Sequence, residues 1–192
     1  MGSRASLLLR QEEIEEIQRE TGFSHNQITR LYSRFTSLDK GQNGALSRED
    51  LLRIPELAIN PLGERVVQLF FLEGEDEQVN FRQYMRTLAR FRPVDPNQKN
   101  NKDGVNSRDK KLEFAFRMYD LDQDSRISRD ELLQVLRMMV GVNISEEQLG
   151  SIADRTILEA DTDGDQRISF EEFSKAMERS EVEQKMSVRF LD

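Results

Sequence analysis

The sequence contains no cysteine, no tryptophan, a single histidine and four prolines among its 192 residues. The absence of cysteine excludes disulfides and leads us to expect an intracellular protein. The longest apolar runs fall far short of the roughly 18 residues that a membrane-spanning helix needs. No nucleophile–base pair and no phosphate-binding glycine loop can be found either, so the sequence does not predict an enzyme.

Acidic residues are in excess, since 36 Asp and Glu against 28 Lys and Arg give a net charge of −8. Binding to nucleic acid phosphates requires clustered Lys and Arg, so we do not expect nucleic acid as a partner. An acidic balance is instead typical of a protein that attracts cations. The length suits one domain or two small lobes, which is enough to bury a core.

A helix–loop–helix pattern occurs four times along the chain. Apolar residues with helical spacing flank loops that begin at residues 39, 72, 120 and 161. One such unit cannot bury its apolar face alone, so the four units should pair into two lobes. The resulting segments are an N-terminal motif with a helix, a first lobe, a linker, a second lobe and a tail, at residues 1–22, 23–91, 92–107, 108–179 and 180–192.

The third and fourth loops carry carboxylates at the spacing that Ca²⁺ requires. Calcium takes six to eight oxygen ligands, and a 12-residue loop supplies them from positions 1, 3, 5, 7, 9 and 12, with a backbone carbonyl at 7 and a bidentate Glu at 12. We therefore predict two Ca²⁺ ions, both in the C-terminal half. The ligands predicted at positions 1, 3, 5, 7 and 12 are Asp120, Asp122, Asp124, Arg126 (through its carbonyl) and Glu131 in the third loop, and Asp161, Asp163, Asp165, Arg167 (through its carbonyl) and Glu172 in the fourth.

Position 6 of both loops departs from the usual glycine, because Ser125 and Gln166 stand there. The sharp turn at this position needs a positive φ, which costs a non-glycine residue about 1–2 kcal/mol. We expect the carboxylate ligands to offset that cost. At position 8, Ile127 and Ile168 are apolar and are predicted to pair with each other between the two loops.

The first two loops lack part of the ligand set. In the first loop, residues 39–50, Gly41 stands at position 3 and the short Asp50 at position 12. In the second loop, residues 72–83, the positions of three ligands are taken by Leu72, Gly74 and Gln83. We predict that both loops keep the fold without holding the metal; weak binding by the first loop stays open as the alternative. Taken together, the loops indicate an all-α fold of four EF-hand helix–loop–helix units in two paired lobes, with short β-ladders between paired loops.

This arrangement resembles the calcineurin B branch of the EF-hand proteins, and within that branch the calcineurin B homologous proteins. The resemblance rests on the two ligand-poor and two complete loops and covers nearly the whole chain, apart from the linker after Pro93. The segments that carry it are residues 1–6, 19–24, 57–63, 132–144 and 182–187.

The resemblance implies an N-myristoylated, calcium-binding regulator. Proteins of this family bind an amphipathic juxtamembrane helix of plasma-membrane Na⁺/H⁺ exchangers and support their activity and pH regulation; they also inhibit the phosphatase calcineurin and act in protein transport. It further implies a cytoplasmic protein, peripheral at the plasma membrane and endomembranes, that shuttles to the nucleus. Two alternatives stay open, namely a regulatory protein of the calcineurin B type, which keeps four working loops, and a simple calcium sensor or buffer.

Gly2 and Ser6 fit the N-myristoylation pattern Met-Gly-x-x-x-Ser. One myristoyl chain binds a membrane only marginally, so a second contact, such as a membrane-bound partner, is required.

The apolar faces of the four units hold more large side chains than two small cores need. We predict that they line a groove for an amphipathic helix, although the same residues also suit a core. In the tail, Val182, Met186 and Phe190 recur on one helical face. We predict that the tail occupies or rims this groove when no partner is bound, and that it shifts when a juxtamembrane helix binds. The predicted groove residues are Phe70, Phe71, Leu88, Phe91, Leu132, Leu136, Met139, Val140, Phe173 and Met177.

Overall fold

The computed structural model describes residues 9–72, 77–94, 104–181 and 186. Within these ranges, two or three helices separate successive members of a set of four two-residue strands, and no helix has both the length and the apolar character that crossing a bilayer requires. The predicted all-α fold with short ladders is confirmed. The elements are α1 (Gln11–Thr21), α2 (His25–Leu38), β1 (Ala45–Leu46), α3 (Arg48–Leu52), α4 (Pro55–Ala58), α5 (Gly63–Phe71), β2 (Val79–Asn80), α6 (Phe81–Ala89), α7 (Arg108–Tyr119), β3 (Arg126–Ile127), α8 (Arg129–Val140), α9 (Glu146–Ala160), β4 (Ile168–Ser169) and α10 (Phe170–Ala176).

Each pair of loops is joined by a short antiparallel ladder. Ile127 pairs with Ile168, as the position-8 residues predict, and Leu46 pairs with Val79 in the first lobe. All four side chains are buried. The ladders therefore fix the register of each loop against its neighbour and place equivalent loop positions side by side.

Capping boxes begin helices α2 and α9. The Ser24 hydroxyl accepts a hydrogen bond from the amide of Gln27 at 3.2 Å, and the Gln27 side chain accepts one from the amide of Ser24 at 3.0 Å. Ser145 and Gln148 form the same reciprocal pair at the start of α9. These contacts satisfy amide groups that a helix N-terminus leaves without intrahelical partners.

The start of α5 differs from the sequence pattern. Asn60 and Pro61 resemble an N-cap and a first helical residue, but the helix begins at Gly63. The side chain of Asn60 instead accepts a hydrogen bond from the amide of Leu62 at 2.8 Å and holds a turn. A side chain at Gly63 would collide with the carbonyl of Leu57, so the close approach of α4 requires glycine as the first residue of α5.

Two apolar cores correspond to the two pairs of units. In the first, Phe35, Tyr84 and Met85 are almost completely buried, and α1 adds Ile14 and Ile17 from the face opposite its acidic residues. The second core is formed by residues of α7, β3, α8, α9, β4 and α10. The predicted segment boundaries stay predictions.

A third, smaller cluster lies where the two pairs of units meet. Leu69 from α5 is buried with Phe114 and Met118 from α7. Phe91 packs edge-to-face on Phe114 with ring centroids 5.0 Å apart, and Met186 of the tail also packs here. We call these five residues the junction cluster. It connects the first lobe, the second lobe and the tail.

A buried lysine fastens the second lobe to the first. Lys111 on α7 is fully buried, and its ammonium group donates hydrogen bonds to the carbonyls of Arg90 at 2.9 Å and Arg92 at 2.8 Å, just beyond the end of α6. A third hydrogen bond, of 2.7 Å, reaches the carbonyl of Met186. The carbonyls at a helix C-terminus carry partial negative charge, so a cation stabilises them.

Arg65 makes the reciprocal contact from the first lobe. Its guanidinium donates to the carbonyls of Arg117 at 2.7 Å, Met118 at 3.2 Å and Asp120 at 3.5 Å, at the C-terminus of α7. Burial lowers the pKa of Arg65, and the nearby acidic groups of the third loop oppose this shift. Arginine stays charged in proteins, so each lobe caps a helix of the other with a cation. The first residue of the third loop is thereby tied to the first lobe.

Replacing Lys111 by Met should lower the free energy of unfolding by about 2–4 kcal/mol, because three backbone carbonyls lose a charged donor in a buried place. Urea denaturation followed by circular dichroism measures this change. Lys110→Met is the control, since Lys110 pairs with Glu113 at the surface and should matter much less. Equal losses for the two variants would contradict the role given to Lys111.

Candidate metal centre

The third loop brings its four acidic side chains together. Carboxylate oxygens of Asp120, Asp122, Asp124 and Glu131 all lie within 4.8 Å of one another. Asp120 and Glu131 are buried, whereas the other two are exposed. The loop thus offers a concentrated set of oxygen atoms, partly withdrawn from water.

The fourth loop gathers Asp161, Asp163 and Asp165 within the same distance. Glu172 does not belong to that close set. Its carboxylate accepts hydrogen bonds from the amides of Thr162 at 2.8 Å, Asp163 at 3.3 Å and Ser169 at 2.9 Å. These bonds place the position-12 carboxylate beside the loop entrance.

Backbone amides hold the acidic side chains of both loops in place. Asp120 accepts from the amide of Ser125 at 3.0 Å, and Asp161 accepts from the amide of Gln166 at 2.8 Å. Both donors have the positive φ that the sequence predicts for position 6, 68° at Ser125 and 64° at Gln166. The strained turn is therefore what aims the amide at the first ligand. Position 4 also has a positive φ, 61° at Gln123, which the sequence did not indicate.

The surroundings of one oxygen atom show whether the third loop suits a metal ion. Asp120 Oδ1 is buried and, within the part of the chain that the structure describes, has no hydrogen-bond partner. A buried carboxylate oxygen without a partner is costly, and a hard cation with oxygen ligands would satisfy it. The residues present therefore fit Ca²⁺. One ion would be held by the four carboxylates and the Arg126 carbonyl of the third loop. A second ion would be held in the fourth loop by Asp161, Asp163, Asp165, Glu172 and the Arg167 carbonyl.

The carboxylates differ in how readily they carry charge. Burial raises the pKa of Asp120, and the neighbouring carboxylates of the loop raise it further. Hydrogen bonds from Ser169 and Thr162 hold the pKa of Glu172 at about 2. Burial opposes the same effect at Glu131, but hydrogen bonds led by the Ser128 amide still lower its pKa. The position-12 glutamates are thus ionised at neutral pH, whereas a cation beside Asp120 would oppose the rise in its pKa.

The side chains at position 7 do more than the sequence indicated. Arg126 donates to Asp165 Oδ2 at 2.7 Å, and Arg167 donates to Asp124 Oδ2 at 2.8 Å, so each reaches the opposite loop. Sequence reasoning assigned only their carbonyls. The available signal was the predicted ladder, because pairing at position 8 brings the two position-7 residues close to the facing loop.

Comparison with known proteins identifies the family. Residues 109–178 match the model of an EF-hand domain pair. The chain is 48% identical to the calcineurin B protein of Naegleria gruberi over 98% of this chain and 99% of that one. It is 41% identical to calcineurin B type 1 of Dictyostelium discoideum over 99% of both chains, and 37% identical to the calcineurin B protein of Candida glabrata over 92% and 94%.

This chain belongs to the calcineurin B family of EF-hand proteins. It is accordingly a calcium-binding protein of that family. The narrower resemblance to the calcineurin B homologous proteins is not what these relatives support. All of them carry the name calcineurin B, which favours the alternative left open by the sequence over the exchanger-binding interpretation.

The first loop of this calcineurin B-type chain keeps the shape of a calcium loop. Asp39 accepts a hydrogen bond from the amide of Gly44 at 2.8 Å, and Gly44 has a φ of 79°. Gly41 offers no side-chain oxygen, however, and Asp50 is paired with Arg53 at 3.2 Å. In the second loop, residues 73–76 lie outside the described residues. That neither loop holds metal stays a prediction.

The structure divides the predicted groove residues into three groups. Phe70, Leu132 and Phe173 are buried in the cores, so in this structure they are core residues and do not line an open surface. Met139 is 46% exposed. The remaining six are partly buried: Phe71, Leu88, Phe91, Leu136, Val140 and Met177.

Two further sequence predictions fall mostly outside the described residues. In the tail, Met186 packs against the second core and the junction cluster, whereas Val182 and Phe190 lie outside the described residues. Gly2, the predicted lipidation site, lies outside them as well.

Glu131→Gln and Glu172→Gln should each remove one of two bound Ca²⁺ ions, because each change removes a bidentate carboxylate. Isothermal titration calorimetry of the wild type and both variants gives the ion count. Glu147→Gln on the exposed face of α9 is the matched control and should keep both ions. Three or four ions on the wild type would show that the first two loops also bind.

Proposed function

We propose that this chain is the calcium-binding regulatory subunit of a calcineurin-type phosphatase, and that it acts by holding an amphipathic helix of the catalytic subunit. Its calcineurin B relatives match it from end to end. EF-hand proteins commonly seat such a helix in an apolar groove. The chain itself contributes binding rather than chemistry.

The observation that carries this proposal is the junction between the lobes. Lys111 and Arg65 hold the two lobes side by side through helix ends. Partly buried apolar side chains occur in both lobes as well as at the junction: Leu88 packs on the first core, Leu136 on the second core, and Phe91 belongs to the junction cluster. A single helix lying across the junction would contact both lobes at once.

Calcium would support this site through the third loop. Asp120, the first residue of that loop, ends α7, and its carbonyl lies 3.5 Å from the guanidinium of Arg65 in the first lobe. Phe114 and Met118 of the same helix belong to the junction cluster. Ordering of the third loop by an ion would therefore stabilise α7, which contributes two residues to the junction cluster.

The juxtamembrane helix of a Na⁺/H⁺ exchanger is the second candidate partner. The feature that favours it is the ligand-poor first loop, because proteins of the calcineurin B type keep four working loops. In the first loop, Gly41 supplies no side-chain ligand and the Asp50 carboxylate is paired with Arg53. Purification of the native complex from detergent extract separates the two candidates. Recovery of an exchanger without the phosphatase catalytic subunit would overturn the phosphatase proposal.

The helix-binding site can be tested in both lobes. Leu88→Gln and Leu136→Gln should each weaken binding to the catalytic subunit of calcineurin about tenfold or more, because each leaves a polar group against a buried apolar helix face. Leu158→Gln is the matched control, since Leu158 is 82% exposed on α9. Surface plasmon resonance in calcium gives the affinities, and circular dichroism checks folding. Wild-type affinity for Leu88→Gln and Leu136→Gln would show that the helix binds elsewhere on the protein.

Membrane attachment through a myristoyl group on Gly2 completes the proposal, with the protein in the cytoplasm, peripheral at the plasma membrane and endomembranes, and shuttling to the nucleus. Co-expression with an N-myristoyltransferase should remove Met1 and add one myristoyl group, measured as intact mass. Gly2→Ala should lack the group and sediment less with lipid vesicles. An unmodified wild-type mass under these conditions would contradict lipidation.

A further inference from the structure

Two arginines occupy equivalent places in the paired calcium loops. Arg126 and Arg167 stand at position 7, directly before the isoleucines that pair in the ladder between β3 and β4. Each guanidinium crosses the ladder to the position-5 aspartate of the other loop, Asp165 for Arg126 and Asp124 for Arg167, at 2.7 and 2.8 Å. The two contacts are therefore reciprocal.

In both aspartates, the Oδ1 oxygen is not used by the arginine and accepts a hydrogen bond within its own loop. Asp124 Oδ1 accepts the backbone amide of Arg126 at 2.9 Å, and Asp165 Oδ1 accepts that of Arg167 at 2.9 Å. Only the Oδ2 oxygens accept hydrogen bonds from the arginine side chains. The backbone thus already orients each ligand, and the guanidinium adds mainly its charge.

We infer that Arg126 and Arg167 act as cross-loop counterions, so that each arginine sets the calcium affinity of the loop opposite its own. In the metal-free protein, a guanidinium relieves the repulsion among clustered carboxylates. When an ion is bound, the same positive charge lies close to a divalent cation and is repelled by it. The arginines therefore stabilise the empty loops and lower the affinity for Ca²⁺. This inference rests on calcium binding by the two loops.

The two arginines are not equal. Arg126 also lies 3.5 Å from Asp163 Oδ2, a second ligand of the fourth loop, whereas Arg167 reaches Asp124 alone among the ion pairs found in the described residues. Arg126 should therefore affect the fourth loop more strongly than Arg167 affects the third.

The cross-loop effect can be isolated by disabling one loop at a time. In a Glu172→Gln background, where only the third loop binds tightly, Arg167→Gln should raise the Ca²⁺ affinity of the third loop. In a Glu131→Gln background, Arg126→Gln should raise the affinity of the fourth loop by a larger factor. We expect increases of about two- to tenfold, since a unit and a divalent charge about 6 Å apart in water interact by roughly a factor of ten in affinity.

Titration calorimetry on the full chain at low and high salt supplies the readout, and the increases should shrink as salt screens the charges. The metal-free variants should also melt at a lower temperature than their backgrounds. Arg129→Gln is the matched control. It removes the same charge from position 10 of the third loop, but Arg129 pairs with Asp154, which belongs to neither loop.

Unchanged or weaker affinity in the opposite loop would overturn the counterion role, as would an equal increase with Arg129→Gln. The wild type serves as a separate check. If it binds no Ca²⁺ at all, the calcium sites themselves are wrong. If it binds Ca²⁺ but the arginine changes act only within their own loops, this inference alone fails.

Discussion

Repulsion among carboxylates in two adjoining loops is the constraint on which the rest of this structure depends. Eight acidic side chains at ligand positions stand in two short segments joined by a ladder of two residue pairs. The chain meets this repulsion with strained backbone turns that aim amides at the aspartates, with capping bonds to the position-12 glutamates, and with arginines that cross between loops. Asp120 Oδ1 still has no partner among the described atoms, which leaves a place suited to a hard cation.

The same constraint reaches the site proposed for the partner helix. The third loop begins where α7 ends, and Arg65 of the first lobe binds the carbonyls at that end. Lys111, on the same helix, binds carbonyls beyond α6 and in the tail. Helix α7 is therefore connected to the loop, to the first lobe and to the tail. A change in how well the third loop is ordered would therefore act through α7 on the junction cluster.

Local chemistry explains which features were predictable. Ligand spacing, the ladder and the positive φ at Ser125 depend on residues close in sequence or on one repeated unit. The need for glycine at the start of α5 depends on the close approach of α4, and the burial of Lys111 depends on helix ends in the other lobe, so neither shows in a local pattern. Helical periodicity likewise marks an apolar face without telling a core residue such as Phe70 from a groove residue. Ligand-poor loops pointed toward one branch of the family, whereas overall identity favours calcineurin B.

Backbone amide chemical shifts during a calcium titration test the central claim most directly. The amides of Ser125 and Gln166 donate to the first ligands of the third and fourth loops, and the amide of Gly44 makes the equivalent bond in the first loop. The account predicts large shifts at Ser125 and Gln166 that are complete at two equivalents of Ca²⁺, with Gly44 unchanged. A shift of Gly44 over the same range, or no shift at Ser125 and Gln166, would contradict it.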